Sequence, residues 1–219
     1  MAEKMLVTQA LDERDLLVKK IGDKIAKASF TDVKKHNEEK VMEGRINEDD
    51  FRKGAESAYQ QIMDLIRRFE KIDAAIVASN AATMIHTSFG DFTVAGAISL
   101  RTRMRGFGSY DDDADFEQNL YTKMKDELNR CIITIENKNK QLETTAESMR
   151  LSILGKDSKS KDDKPLEVVN TYVRENTSEL VDPLDVHKKV EEIQERRAKL
   201  LSELDTQIKV SNATTLIEI

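Results

Sequence analysis

The chain has 219 residues, 35% of them charged and 5% aromatic, with a formal net charge of −6 and a pI near 5.3. That balance gives no general attraction to nucleic acid or to anionic membranes, and a single cysteine, Cys131, excludes an internal disulfide and a zinc site of the usual spacing. Two prolines, eight glycines and no tryptophan favour long, solvent-laced helices over a compact β or α/β domain. No apolar run reaches bilayer length and the first fifteen residues lack a secretory stretch, so the expectation is a soluble protein made in a cytoplasm, without membrane insertion.

Residues 8–28 carry Leu17, Ile21 and Ile25 on one face, with Leu6, Ala10 and Arg14 continuing the register, which predicts an amphipathic first helix. The polar stretch 30–47 loses that period and reads as a loop, with residues 30–34 and 40–42 as candidate short strands. Asn47 followed by Glu48, Asp49 and Asp50 is a helix start, and the second helix should run to about Ser79. A strand over 83–87, a turn at Phe89-Gly90-Asp91 and a cap at Thr93 introduce a third helix that ends near Arg105. Residues 106–113 interrupt the pattern. From Asp115 to about Leu154 the apolar positions Leu120, Met124, Leu128, Cys131, Ile135, Leu142, Met149 and Ile153 recur near multiples of 3.5, with Lys138 and Asn139 as a polar gap. That is the spacing of a coiled-coil seam, and it places Cys131 in a core. A helix of that length is roughly 60 Å long, which implies an elongated molecule. A hydrophilic linker follows over 155–164, then a short helix opened by Pro165, then a last long helix led in by Asp182-Pro183.

The most informative stretch is written twice. Residues 72–85, IDAAIVASNAATMI, and 204–217, LDTQIKVSNATTLI, are identical at Asp73/Asp205, Ile76/Ile208, Ser79/Ser211, Asn80/Asn212, Ala81/Ala213, Thr83/Thr215 and Ile85/Ile217. In each copy helical spacing gives way to β-branched residues, which predicts one duplicated helix-to-strand joint, closed by Ser-Asn with Asn in a left-handed conformation. The two short strands, 83–87 and 214–219, are expected to lie side by side in one small antiparallel sheet, with His86 next to Glu218. A two-stranded sheet has open edges, so Thr83, Ile85, Thr87, Thr215, Ile217 and Ile219 form a candidate partner-binding edge.

Little else suggests chemistry. Asp111, Asp112, Asp113 and Asp115 have the opening spacing of a calcium loop but lack its glycine and closing glutamate, and serve better as negative charge at a helix start. Gly106-Phe-Gly108 lacks the rest of a phosphate loop. His36, His86 and His187 stand far apart, and Arg101, Arg103 and Arg105 suit a helix end. No catalytic, cofactor-binding or metal residue is assigned.

The stretch DLIRRFEKIDAAIVASNAATMIHTSFGDFTVAGAIS, a mid-chain GKDSK, and ELVDPLDVHKKVEEIQERRAKLLSELDTQIKVSNATTLIEI together resemble helical virion structural proteins of tailed bacteriophages, the first half being similar to the septicolysin-like family. The resemblance implies a non-enzymatic virion component in head, neck, tail or fibre, located in the particle and partnered by other virion proteins and by copies of itself. An assembly factor absent from the mature particle is the alternative; a membrane-active lysin is a third reading that no apolar segment here favours. The expected fold is mainly α, an elongated long-helix bundle or coiled coil with a small antiparallel β element. It divides into residues 1–105 (helical hairpin and first joint), 106–164 (central helix and linker) and 165–219 (closing helices and second joint).

Overall fold

The computed structural model describes residues 3–106, 114–156 and 164–219. Its helices are α1 (Val7–Lys27), α2 (Glu48–Ala82), α3 (Val94–Met104), α4 (Phe116–Lys156), α5 (Lys164–Asn176) and α6 (Val186–Thr214). Its strands are β1 (Lys4–Leu6), β2 (Lys40–Val41), β3 (Ile46–Asn47), β4 (Met84–Thr87), β5 (Gly90–Thr93) and β6 (Leu216–Glu218). The fold is mainly α, and the strands pair as antiparallel couples, β1 with β6, β2 with β3 and β4 with β5. The acidic run Asp111–Asp113, Gly108 and most of the expected linker lie outside the described residues. Packing separates two units, Met1–Thr102 with Leu200–Ile219, and Arg103–Lys199.

In the first unit α1 lies antiparallel to α2. Val7, Ala10 and Leu17 meet Ile72 and Ile76 in a core that also takes in Met5 and Ile217. The pair is laced along one side by polar ties: Lys24 Nζ donates to Gln61 Oε1 at 2.7 Å, and Arg68 forks onto both oxygens of Glu13 at 2.8 and 3.1 Å while reaching Glu3 at 2.8 Å. A forked guanidinium–carboxylate contact fixes rotation as well as distance, so it sets the helix register. At the far end the chain turns through β2 and β3. The candidate strand 30–34 is not one: β2 pairs with Ile46–Asn47, because Met42, Glu43 and Gly44 adopt successive positive φ angles of 53°, 58° and 80° that reverse the chain. Asn47 stands at the start of α2 in extended conformation without a side-chain cap, leaving Glu48, Asp49 and Asp50 to complement the helix end.

In the second unit α4 carries the long seam. From Tyr121 to Ile153 its less exposed positions are Tyr121, Met124, Leu128, Ile135, Asn139, Leu142, Ala146, Arg150 and Ile153. From Leu128 onward residues repeat at eleven (128, 139, 150; 135, 146; 142, 153), so the expected 3.5-residue period relaxes to about 3.67. Cys131 falls on the same eleven-residue row as Leu142 and Ile153, yet its thiol is exposed rather than in a core, because a row is buried only where another element packs on it. The polar gap has a structural cause. Asn139 faces the break between α5 and α6, where its amide donates to the Ser178 carbonyl at 3.1 Å and accepts from the Ser178 N–H at 2.8 Å. Asn139 thus satisfies backbone where no helix does. Replacing it by Ala is expected to cost about 1–2 kcal/mol, read as a lower urea midpoint with faster amide exchange at Ser178.

The last helix begins later than expected. Pro183 and Leu184 form a turn held by Asp182, whose carboxylate accepts the N–H groups of Leu184 and Val186, and Asp185 takes a φ of 52° before α6 starts. Thr93 and Asp115 do cap their helices, accepting the N–H groups of Gly96 and Gln118 at 3.0 and 3.1 Å.

Candidate functional site: a joint built twice

Both copies of the repeat form the same corner, but not with each other. The expected pairing of strand 83–87 with strand 214–219 does not occur. β4 pairs with β5 across the Ser88-Phe89 turn, and β6 pairs with β1. A strand of three residues, Lys4–Leu6, is too short to announce itself by alternation, which is why its partnership was not foreseen. His86 therefore faces Asp91, with Nδ1 2.7 Å from Oδ1, while Glu218 pairs with Lys4 at 2.8 Å.

The two corners match residue by residue. Copying α2 and β4 onto α6 and β6 requires a shift of 132, and copying β5 and α3 back onto β1 and α1 requires a shift of 87. Cross-strand partners then coincide: Met84↔Thr93 with Leu216↔Leu6, Ile85↔Phe92 with Ile217↔Met5, and His86↔Asp91 with Glu218↔Lys4. The last couple keeps a polar contact across the sheet, with the acid on opposite strands in the two corners. Fractional exposure agrees at five positions: Ile72 and Leu204 at 0%, Ile76 and Ile208 at 3% and 4%, Ile85 and Ile217 at 3% and 5%, Val94 and Val7 at 1% and 2%, Ala97 and Ala10 at 0%. Five equal burials at equivalent places identify one packing solution used twice.

The corner itself is closed by backbone. Thr83 N–H donates to Ser79 O at 2.8 Å and Thr215 N–H to Ser211 O at 2.9 Å, ending each helix. Thr83 O then accepts from Val94 N–H at 2.9 Å, and Thr215 O from Val7 N–H at 3.0 Å, which holds the threonine extended. The expected left-handed asparagine is not used. Positive φ at non-glycine residues is confined, among the described residues, to Met42, Glu43 and Asp185, and both helices run through Ser79-Asn80 and Ser211-Asn212. Asn80 and Asn212 are half-buried and helical, and Ser211 is buried, its hydroxyl 3.5 Å from that of Thr215.

Each corner then clasps the other. The helix that follows β1 packs on α2, and Arg14 reaches Asp73 at 3.2 Å; the helix that follows β5 sends Arg101 to Asp205 at 3.4 Å. So the duplicated aspartates receive equivalent arginines from the opposite corner. A further tie holds the hairpin turn, where Glu203 accepts from both the N–H and the hydroxyl of Ser88 at 2.7 Å. Arg101 is thus a joint residue, as well as one cation near a helix end. Both arginine–aspartate pairs are partly exposed and modest in energy. Asp73→Ala and Asp205→Ala are each expected to cost about 0.5–1 kcal/mol, and to cost alike, as measured by urea unfolding at low salt.

The edge residues have mixed standing. Ile85 and Ile217 point into the core, Thr83 and Thr215 form the corners, Thr87 accepts the Phe89 N–H and donates to the Gly90 carbonyl, and Ile219 exchanges backbone hydrogen bonds with Glu3. On β4 and β6 the side chains turned outward are Met84, His86, Leu216 and Glu218. Among the described residues, no group of three or more His, Cys, Asp or Glu is placed to hold a metal ion, and no helix is long and apolar enough to cross a membrane.

The chain matches no protein-family model, no curated protein and no solved structure in the comparisons made.

Sequence reasoning missed half of the joint. Val7-x-x-Ala10-x-x-x-Arg14 and Val94-x-x-Ala97-x-x-x-Arg101 are the same pattern, and it is present in the sequence. It was hidden because its shift of 87 differs from the 132 of the other half.

Proposed function

We propose that the chain is a non-enzymatic structural component of a tailed-phage particle, acting through its helices on copies of itself and on other virion proteins. The observation that carries the reading is the duplicated joint. Ten buried apolar positions, four backbone bonds and two arginine–aspartate ties serve to hold helices at fixed register, which is the work of a scaffold element. The resemblance of the joint and of its Leu180-Val181-Asp182-Pro183-Leu184 lead-in to phage virion proteins gives the setting. The outward edge of β4 or β6 offers a further place for a neighbouring strand.

The test is quantitative mass spectrometry of purified particles, counting this chain against the major capsid protein. A copy number matching a head lattice or a small multiple of a ring symmetry supports the proposal. Absence from clean particles, with presence in infected cells, would replace it with an assembly factor.

A further inference from the structure

The halves of the two corners are joined differently. In the first, β4 reaches β5 through Ser88-Phe89, Glu203 holds both the N–H and the hydroxyl of Ser88, and the positive φ of the turn falls on a glycine, Gly90, at 129°. In the second, β6 is paired by β1, and the helix that follows, α1, is connected to the helix it packs on only through the β2–β3 turn. That turn is strained. Met42 and Glu43 take φ angles of 53° and 58° before Gly44 takes 80°. Only a few per cent of non-glycine residues adopt such angles, and here two stand in succession. Residues 42–47 are all exposed, at the end of the α1–α2 pair away from the corners, so no burial imposes the conformation. The turn's own backbone bonds come from one donor, Arg45 N–H, shared between Val41 O and Met42 O at 3.1 and 3.2 Å. The ties that seat the arm join residues before this turn to residues after it: Lys4 to Glu218, Glu13 to Arg68, Arg14 to Asp73 and Lys24 to Gln61. So do the β2–β3 pair and the core contacts of Val7, Ala10 and Leu17 with Ile72 and Ile76.

We infer that residues 3–41 are an exchangeable arm, and that the chain forms a two-fold dimer in which each arm closes the second corner of the other copy. Met42, Glu43 and Gly44 then open into an extended link of about 10 Å. β2 pairs with β3 of the second copy, α1 lies on its α2 and β1 pairs with its β6. The occupant of this surface is the segment that the structure already seats on it, so each contact of the closed chain recurs between copies and the second corner stays closed. Only the turn changes. Opening it gives up the bonds of Arg45 N–H and releases two left-handed non-glycine residues in each copy, four in the dimer. A strained link between an element and its seat is the condition under which identical elements exchange between copies. The place of the turn also suits exchange, since an exposed end can meet its counterpart on a two-fold axis without either corner being disturbed. The inference rests on the self-assembling part of the function proposed above and names the surface it uses.

The experiment is a cross-link across the second corner of the full chain, Lys4→Cys with Glu218→Cys in a Cys131→Ser background. Glu3 and Ile219 exchange both of their backbone bonds, at 3.3 and 2.9 Å, so Lys4 and Glu218 are a non-hydrogen-bonded couple, whose close Cα spacing suits a disulfide. The protein is refolded from urea at concentrations from below one micromolar to the hundred-micromolar range, oxidised, and run on non-reducing denaturing gels with intact-mass measurement. The expected result is a covalent dimer whose share rises with concentration, because the link then joins β1 of one copy to β6 of the other. Gly44→Val should raise the dimer association constant at least 10-fold: a Cβ there meets nothing within 4 Å, so the substitution acts only by straining the turn. Met42→Gly with Glu43→Gly, which relieves the turn, should lower it at least 10-fold. Links confined to single chains at every concentration would overturn the inference, even if the chain is found in particles or sedimentation shows dimers joined elsewhere. A covalent dimer indifferent to both turn changes would overturn it as well. Exchange with this behaviour and no particle incorporation would instead overturn the structural-component reading and leave the arm standing.

Discussion

Ile72→Ala and Leu204→Ala are each expected to lower stability by about 3 kcal/mol, and by amounts that agree within about 0.5 kcal/mol of each other. Both side chains are fully buried and occupy the same place in the two corners, so each truncation removes three carbon atoms from the same kind of surroundings. Truncations of nearby exposed residues, Val77→Ala and Val210→Ala, should each stay within about 0.5 kcal/mol of wild type. Urea unfolding followed by circular dichroism reads all four. A large Ile72 effect beside a negligible Leu204 effect would mean that the second corner is not packed as the first.

Arg197→Met is expected to cost about 3 kcal/mol in the unit formed by residues 103–199. Arg197 grips Asp115 through two bonds of 2.7 and 2.5 Å, with side chains only 12% and 10% exposed, and with Arg196 it also faces Glu117. The variant leaves two carboxylates at the start of α4 with one cation between them. Asp115→Asn combined with Arg197→Met should cost less than the sum of the single changes, because the second removes a charge that the first had stranded. The pH dependence has a definite sign. Burial pushes the Asp115 carboxyl up, but hydrogen bonds from Arg197 and the Gln118 N–H, with the charges of Arg197 and Arg103, outweigh it and hold the group below its ordinary value. A depressed carboxyl stabilises fully above its unfolded value, near pH 4, and loses that contribution as pH falls through the folded value. The gap between wild type and Arg197→Met should therefore narrow on acidification, as followed by thermal melts from pH 7 to pH 3.

The helices were legible because their signals are local and long. Thr93 announced a start by a side chain that reaches its own backbone three residues on, and that bond forms; Asp115, read only as negative charge at a helix start, also caps α4. The β-branched residues after each Ser-Asn-Ala announced strands, and β4 and β6 are there. What a single row of letters does not display is which strand meets which. Pairing in a two-residue or three-residue strand is decided by where the helices bring the ends, and β1 carries only Lys4, Met5 and Leu6 to reveal itself. The joint was half visible for a related reason. The duplication is interleaved: one half repeats 132 residues later and the other 87 residues earlier, so a search at one shift finds one half. Cys131 illustrates a different limit. Both a 3.5-residue and a 3.67-residue period admit it to the seam, and only the packed partner decides which positions along a seam are covered.

The two corners also differ in a way that carries weight for function. The first is closed covalently by Ser88-Phe89 and tied to Glu203; the second brings together β1 and β6 from distant parts of the chain. The structural role proposed here requires both to be rigid, since each anchors a long helix.

Native-state hydrogen exchange at the four corner amides, Thr83, Val94, Thr215 and Val7, tests the duplicated joint most directly. These N–H groups make equivalent backbone bonds of 2.8, 2.9, 2.9 and 3.0 Å. The expected result is that all four exchange among the slowest amides of their unit, with opening free energies within about 1 kcal/mol of one another, the signature of one cooperative element. If Val7 and Thr215 instead exchange as freely as a frayed end while Thr83 and Val94 stay protected, the joint is built once and not twice.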